Sequence, residues 1–566
     1  MESWTGEAAD VRRSWVRPAI LRGLFAVPLM VALVLGITSV GAARVLAQSV
    51  PSAAAGPPGT GLAWGNNGDG ELGDGTTTDS ITPIAVNLPT DTTITAIAAG
   101  TAYGLALTSA GTVLAWGDNS AGQLGDGTFT DRSTPVAVDL PADTTVTAVA
   151  AGDRHSLALT STGTMLAWGE NFIGQLGDGT TTRRSTPVAV KLPTGTTVTA
   201  MAAGDRHNLA LTSTGTVLAW GDNSHGQLGD GTTTDRSTPI AVDLPADTTI
   251  TTVATGSYHS LALTSTDTLL AWGYNIYGQV GDGTTTDRST PIAVDLPTGT
   301  TITTISGGAV HTLAVTSADT LLGWGHNNFG QLGDGTTTDR STPIAVDLPT
   351  GTTITAVSAG AFHSLAVTSA GTMLGWGYNA FGQVGDGTTA TRRRTPVAVD
   401  LPAGTTVTAA AAGNRHSLAV VPSTSTTTLQ ATPPNPTPDQ PLTLTLTATV
   451  TCTGSTPTGT VTFHDDTTTL DTTPLTGNPT ATATLTVTHL APGTHHIQAR
   501  YNGDSNCPAS TSNPTTVTIP NPTSPKPTIP VTGTNLPTIL TTGFLLTLTG
   551  TALTLATHRR RPEHRT

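Results

Sequence analysis

Six histidines, His155, His207, His259, His311, His363 and His416, stand 52 or 53 residues apart. Imidazoles at regular spacing are the raw material of metal sites and proton relays. Seven aspartates, Asp74, Asp126, Asp178, Asp230, Asp282, Asp334 and Asp386, keep the same beat inside Gly-Asp-Gly. Together the two sets could hold a cation or carry out acid–base chemistry. Their distribution argues against both, because groups supplied once per repeat around an array do not converge on one ion. The histidines are therefore expected to be structural, hydrogen-bonded to turn backbone. The aspartates are expected to bond their own turns. The first copy, NNGDGELGDG from Asn66, is richer in oxygen ligands but lacks calcium-loop spacing. No nucleophile stands beside a base in a recognisable pattern, and the sequence implies neither a metal nor a cofactor.

The informative positions are those where the copies disagree. Two short windows vary while their surroundings do not: the residues inside WGxNxxG and the pair before the histidine. The first carries Phe172 and Ile173, Ser224 and His225, Tyr274 with Ile276 and Tyr277, His326 with Phe329, and Tyr378 with Phe381. The second carries Asp153 and Arg154, Asp205 and Arg206, Tyr258, Phe362, and Asn414 and Arg415. Exposed aromatics and arginines are the usual anchors of interfaces. The expected ligand-binding residues are thus Phe172, Tyr258, Tyr274, Tyr277, His326, Phe329, Phe362, Tyr378, Phe381, Arg154 and Arg206. They predict a face that is aromatic over copies five to seven and charged over copies two to four.

The elements that must present these windows follow from the repeat. Trp64, Trp116, Trp168, Trp220, Trp272, Trp324 and Trp376 are each 52 residues apart, a period that signals a repeat architecture. One copy reads as four short strands, 208–212, 216–220, 238–242 and 249–254, joined by Ser-Thr-Gly, Gly-Asp-Gly and Leu-Pro turns. Four such strands make a propeller blade, with the tryptophan buried between blades. The first copy starts at Gly61 without a hairpin partner and the last stops at Val420 without a WG strand. Pairing these two orphans would close the ring and remove both sheet edges. The pattern AAGxxHSLALTxxGTVxxWGxNxxGQLGDG resembles the regulator-of-chromosome-condensation repeat over residues 60–421, with Tyr103 in place of the first histidine. The resemblance implies a seven-bladed β-propeller. The namesake's nuclear exchange activity does not carry over to an acidic chain with secretion signals.

Beyond the propeller, residues 423–519 are Thr-rich, and 442–450, 459–465, 482–490 and 495–501 alternate like half-buried strands. TGTVTF and LAPGTHHIQARYNGDSN resemble bacterial immunoglobulin-like surface modules. The expected fold class is therefore all-β, a seven-bladed propeller followed by an immunoglobulin-like β-sandwich. Cys452 and Cys507 are placed for one disulfide outside the cell.

Both ends read as targeting. Residues 1–47 have the arginines, apolar run and small-residue site of a signal peptide. In residues 520–535 a Pro-rich stalk leads to Ile529-Pro530-Val531-Thr532-Gly533, followed in 536–566 by an apolar run and a basic tail. This resembles the LPxTG sorting signal of Gram-positive wall proteins. Cleavage between Thr532 and Gly533 would join the chain covalently to peptidoglycan through a sortase, with membrane contact confined to the C-terminal segment. The net charge of −14 argues against a nucleic-acid partner. The sequence thus predicts a secreted, wall-anchored surface protein of a Gram-positive bacterium, not an enzyme, that binds an extracellular protein or glycan. Two other readings are a propeller-type inhibitor of an extracellular enzyme such as a β-lactamase, and a wall- or glycan-processing enzyme.

Overall fold

The computed structural model describes residues 59–522 apart from 439, 478 and 479. The signal peptide, the sorting motif with Thr532 and Gly533, and the C-terminal apolar run lie outside the described residues. No helix among the described residues is long and apolar enough to cross a membrane.

Seven four-stranded antiparallel blades form the propeller, two of them joined into one eight-stranded sheet where Gly59 pairs with Ile94, and we number each blade by the order of its tryptophan. In blade 4 the strands, a to d from the axis outward, are Val198–Ala203, His207–Thr212, Val217–Gly221 and Arg236–Ala241. Strand a is rich in alanine and buried except at Thr199, because seven such strands must crowd around one axis. Strand d carries Pro239 and is half exposed, and only an edge strand tolerates a residue without an N–H donor.

The frame of the blade differs from the sequence expectation by one strand. The segment 249–254 does not complete blade 4; Ile250–Thr255 is strand a of blade 5. The chain crosses from the outer edge of one blade to the axis of the next, and a linear repeat does not show where that crossing falls.

Blade 1 closes the ring. Its strands a and b, Ala409–Ala412 and His416–Pro422, come from the C-terminal side of the propeller. Its strands c and d, Gly59–Gly65 and Ser80–Ala85, come from the N-terminal side. Trp64 lies opposite Ser417 and Gly65 opposite His416. The two orphan strands therefore pair, and strand a of blade 1 packs beside strand a of blade 2, Ile94–Ala99.

The second unit is a sandwich. Ser425–Thr432, Leu444–Cys452 and Ala481–Val487 form one sheet; Thr460–Asp465, Thr468–Pro474, Gly493–Tyr501, Ser510–Thr511 and Thr515–Ile519 form the other. Alternate residues such as Leu444, Leu446, Ala448 and Val450 point into a core shared with Phe463, Ile497 and Tyr501. Cys452 and Cys507 form a disulfide. The loops it ties touch blade 2: Asn506 accepts hydrogen bonds from Thr93 (2.9 Å) and Ser109 (2.6 Å), and Thr456 Oγ1 donates to Asp91 (3.1 Å). Thr93 and Ser109 lie where strand a begins and strand b ends. That is the disc face opposite the variable windows.

Candidate binding face

Each variable window is held by a seam between blades. Trp220 is fully buried, and its indole N–H donates to the Gln175 carbonyl of the preceding blade at 3.0 Å. The same bond recurs around the ring and crosses the closure, where Trp64 reaches Gln383 at 3.0 Å. Gly177 lies against the Trp220 ring with φ +65; a Cβ there would stand 2.8 Å from the indole nitrogen. Only glycine satisfies both the left-handed backbone and the close approach.

The histidines belong to these seams rather than to their own turns. Nε2 of His207 meets the Ser260 hydroxyl of the next blade at 3.0 Å, while that hydroxyl donates to the Gln227 carbonyl at 2.8 Å. With its proton so committed, Ser260 accepts, and His207 carries its proton on Nε2. His259, His311 and His363 repeat the contact with Thr312, Ser364 and Ser417, and His155 with Asn208. Burial keeps all six rings neutral: His155 and His416 are pushed down to about 4, His207, His259 and His363 to about 3, and His311 well down. Tyr103 fills the first position by donating to the His155 carbonyl of blade 3.

The aspartates bond their turns and more. Asp230 accepts from the Thr232 N–H (3.0 Å), from Asn223 Nδ2 (3.0 Å) and from Arg236 Nη2 (2.7 Å). Asn223 and Arg236 were not singled out in the sequence, although they keep the same period. Copy one departs, with Ser80 where the arginine stands. Among the described residues no group of three or more metal-ligating side chains is assembled.

Above the seams, strand b begins and strand c ends on one face of the disc, so both windows emerge there. Over blades 4 to 7 the structure brings the aromatic residues into one arc. His225, Tyr274, Tyr277, His326, Phe329, Tyr378 and Phe381 follow one another with ring centroids 4.5 to 6.4 Å apart. Tyr258 and Phe362 join it from the axial side. The contacts are edge-on or tilted, as ring quadrupoles prefer. Most of the rings are half-buried, and Tyr274, Tyr277 and Phe362 rest on a small floor of Ala309, Val310 and Ala361. Phe172 stands apart on blade 3, 67% exposed.

Over blades 2 to 4 the same windows carry charge. Arg154 lies 3.5 Å from Asp118 and 3.9 Å from Glu170; Arg206 lies 3.9 Å from Glu170. Inside them Asp153 and Asp205 are buried near the axis, where the Asp153 N–H donates to the Asp205 carbonyl at 3.2 Å. Burial raises Asp153 to about 7 and Asp205 well above the carboxylate range. Asp118, Glu170 and the apolar floor were missed in the sequence reading. Glu170 follows WG inside a variable window, and Ala309-Val310 replaces the Asp-Arg pair, so both signals were present.

A closed ring of seven such blades with structural histidines and tryptophans defines the class: residues 60–419 match the RCC1-like domain, and the chain belongs to that family. Residues 429–520 match the bacterial Ig-like domain (group 3). Among relatives, the ultraviolet-B receptor UVR8 of Arabidopsis thaliana is 34% identical over 326 residues, 57% of this chain and 74% of its own length. The human E3 ubiquitin-protein ligase HERC2 is 31% identical over 375 residues, 64% of this chain but 8% of its length. Among solved structures, Prp20p of Saccharomyces cerevisiae has a TM-score of 0.58 at 25% identity, covering 65% of this chain and 93% of Prp20p. Human WBSCR16 has a TM-score of 0.58 at 23% identity, covering 64% and 98%, and shows the fold alone.

Proposed function

We propose that this protein is a non-catalytic binder that presents its propeller at the bacterial surface and takes an extracellular protein on the variable-window face. The observation that carries the reading is the arc of nine aromatic rings across four blades, built from the positions at which otherwise near-identical copies differ. A repeat that needed only to fold would have no use for such variation, whereas a binding face needs it. Prp20p has binding properties to Gsp1p and histones. Use of this fold as a protein-binding platform supports the same use here.

The signal-like N-terminus and the sorting-like C-terminus support secretion and covalent attachment to peptidoglycan. The immunoglobulin-like unit touches the disc on the side away from the arc, so an anchor beyond it leaves the arc facing outward. The reading is tested with the full chain expressed on its own cells: muramidase digestion should release it bearing wall fragments, and Thr532→Ala should stop this. Cells carrying it should capture defined extracellular proteins that cells with Tyr274, Tyr277, Tyr378 and Phe381 all changed to Ser do not. Capture of glycans alone would overturn the protein assignment.

A further inference from the structure

The 52-residue repeat provides an internal control for charge on the binding face. Three arginines occupy the position just before the histidine: Arg154, Arg206 and Arg415. Arg154 is set between two carboxylates, Asp118 from the preceding blade and Glu170 from its own. Arg206 shares Glu170 and has Asp153 and Asp205 near it. Arg415, on blade 1, has Tyr378 and Asn66 at the positions where Arg154 has its acids. Its guanidinium sits 4.8 Å above the Phe381 ring, its side chain is exposed, and among the described residues it forms no ion pair. The aromatic arc thus ends on a guanidinium that lies over a ring and has no ion-pair partner among the described residues.

We propose that Arg415 is the carboxylate-binding end of the protein-binding arc, and that the partner is a protein segment that sets an Asp or Glu side chain on Arg415 and apolar side chains on Phe381 and Phe329. This rests on the function proposed above. Contact with the Phe381 ring positions the exposed guanidinium at the end of the arc, and a guanidinium can make the two-pronged contact that a carboxylate fits. The arc favours a polypeptide over a sugar, because its rings pack edge to face and cover one another. What they present is mostly apolar ring edges over the buried Ala309, Val310 and Ala361, which match apolar side chains better than hydroxylated rings. The charged half of the face is already neutralised internally and adds little net attraction.

The test is selection of a displayed library of random twelve-residue peptides on the full chain, on Arg415→Ala, and on the four-fold Ser variant of the arc. Wild-type protein should enrich peptides with an acidic residue next to an aromatic or branched apolar one. Arg415→Ala should bind those peptides roughly 10- to 100-fold more weakly, the worth of a hydrogen bond to a charged group, and its own selection should lose the acidic bias while keeping the apolar one. Its melting temperature should match wild type, since it breaks no ion pair. Enrichment without acidic bias, or equal affinity in Arg415→Ala, overturns the Arg415 assignment alone. Enriched peptides that bind the arc variant as well, no enrichment at all, or binding confined to a parallel array of acidic glycans overturns the protein-binding reading of the arc.

Discussion

The seams between blades and the face above them are made from the same repeat, yet they use it in opposite ways. In the seams every copy supplies a buried tryptophan, and all but the first a buried histidine, five of which bond across to the next blade. On the face, positions one or two residues away range from Arg154 to Tyr258 to Val310. Close packing explains the first, since a ring of seven blades closes only if each interface has the same thickness. Nothing in the packing requires the second. Side chains that fold the protein are therefore separated from side chains free to recognise something else, within a few residues of each other.

The largest effect expected on the seam side is from Trp220→Ala, which empties a buried site and removes one of the two donors, Trp220 and Asn208, to the Gln175 carbonyl. It should destabilise the propeller by about 3–5 kcal/mol in denaturant titration. A loss below about 1 kcal/mol would mean the seams do not hold the ring. Replacing Cys452 and Cys507 by Ser should destabilise the sandwich by about 4 kcal/mol, the chain-entropy value for a closed loop of this size, given the separation of 55 residues. Calorimetry should show the propeller transition unmoved, which separates the two units.

Acid should attack the seams before the face. The histidines have folded pKa values below the unfolded value of about 6.5, so the unfolded chain binds more protons once pH falls under that value. Their contribution to stability is present above about 6.5 and is lost as pH drops toward 4, at about 1.4 kcal/mol per pH unit for each ring. Glu71 and Asp153, raised to about 7, and Asp205, also raised, act in the opposite direction over the same range. The six histidines outnumber these three carboxylates, so the melting temperature should fall steadily between pH 6.5 and 4.5. A melting temperature that rose or stayed flat there would contradict neutral seam histidines.

Smaller still is Arg132→Ala, whose side chain is 36% exposed where it meets Asp126. The loss should be about 1 kcal/mol or less, measured by chemical denaturation. The repeated turn network is thus a local brace, while the seams carry the fold.

Much of this architecture was legible in the sequence. The Trp64-to-Trp376 period, the missing hairpin partner at Gly61 and the unpaired strand ending at Val420 together dictate a ring closed by its two ends, and alternation in 442–450 dictates a half-buried strand. What escaped was set by contacts across blades. The assignment of 249–254 to the following blade, and the bond from His207 to Ser260, depend on neighbours that the linear pattern does not rank. The aromatic windows were visible as departures from the repeat, but their continuity was not, since ring-to-ring packing from Tyr274 to Phe381 appears only once the blades are side by side. Phe172 shows the limit of that reading, having the right residue type in the right window and no ring beside it among the described residues.

The most direct test of the separation between folding seams and recognising face is to follow melting temperature and partner capture together in Tyr277→Ser and Phe381→Ser. The account predicts stability within about 1 kcal/mol of wild type, with capture of extracellular protein markedly reduced. A large fall in melting temperature with capture unchanged would make the arc a packing feature and contradict the account.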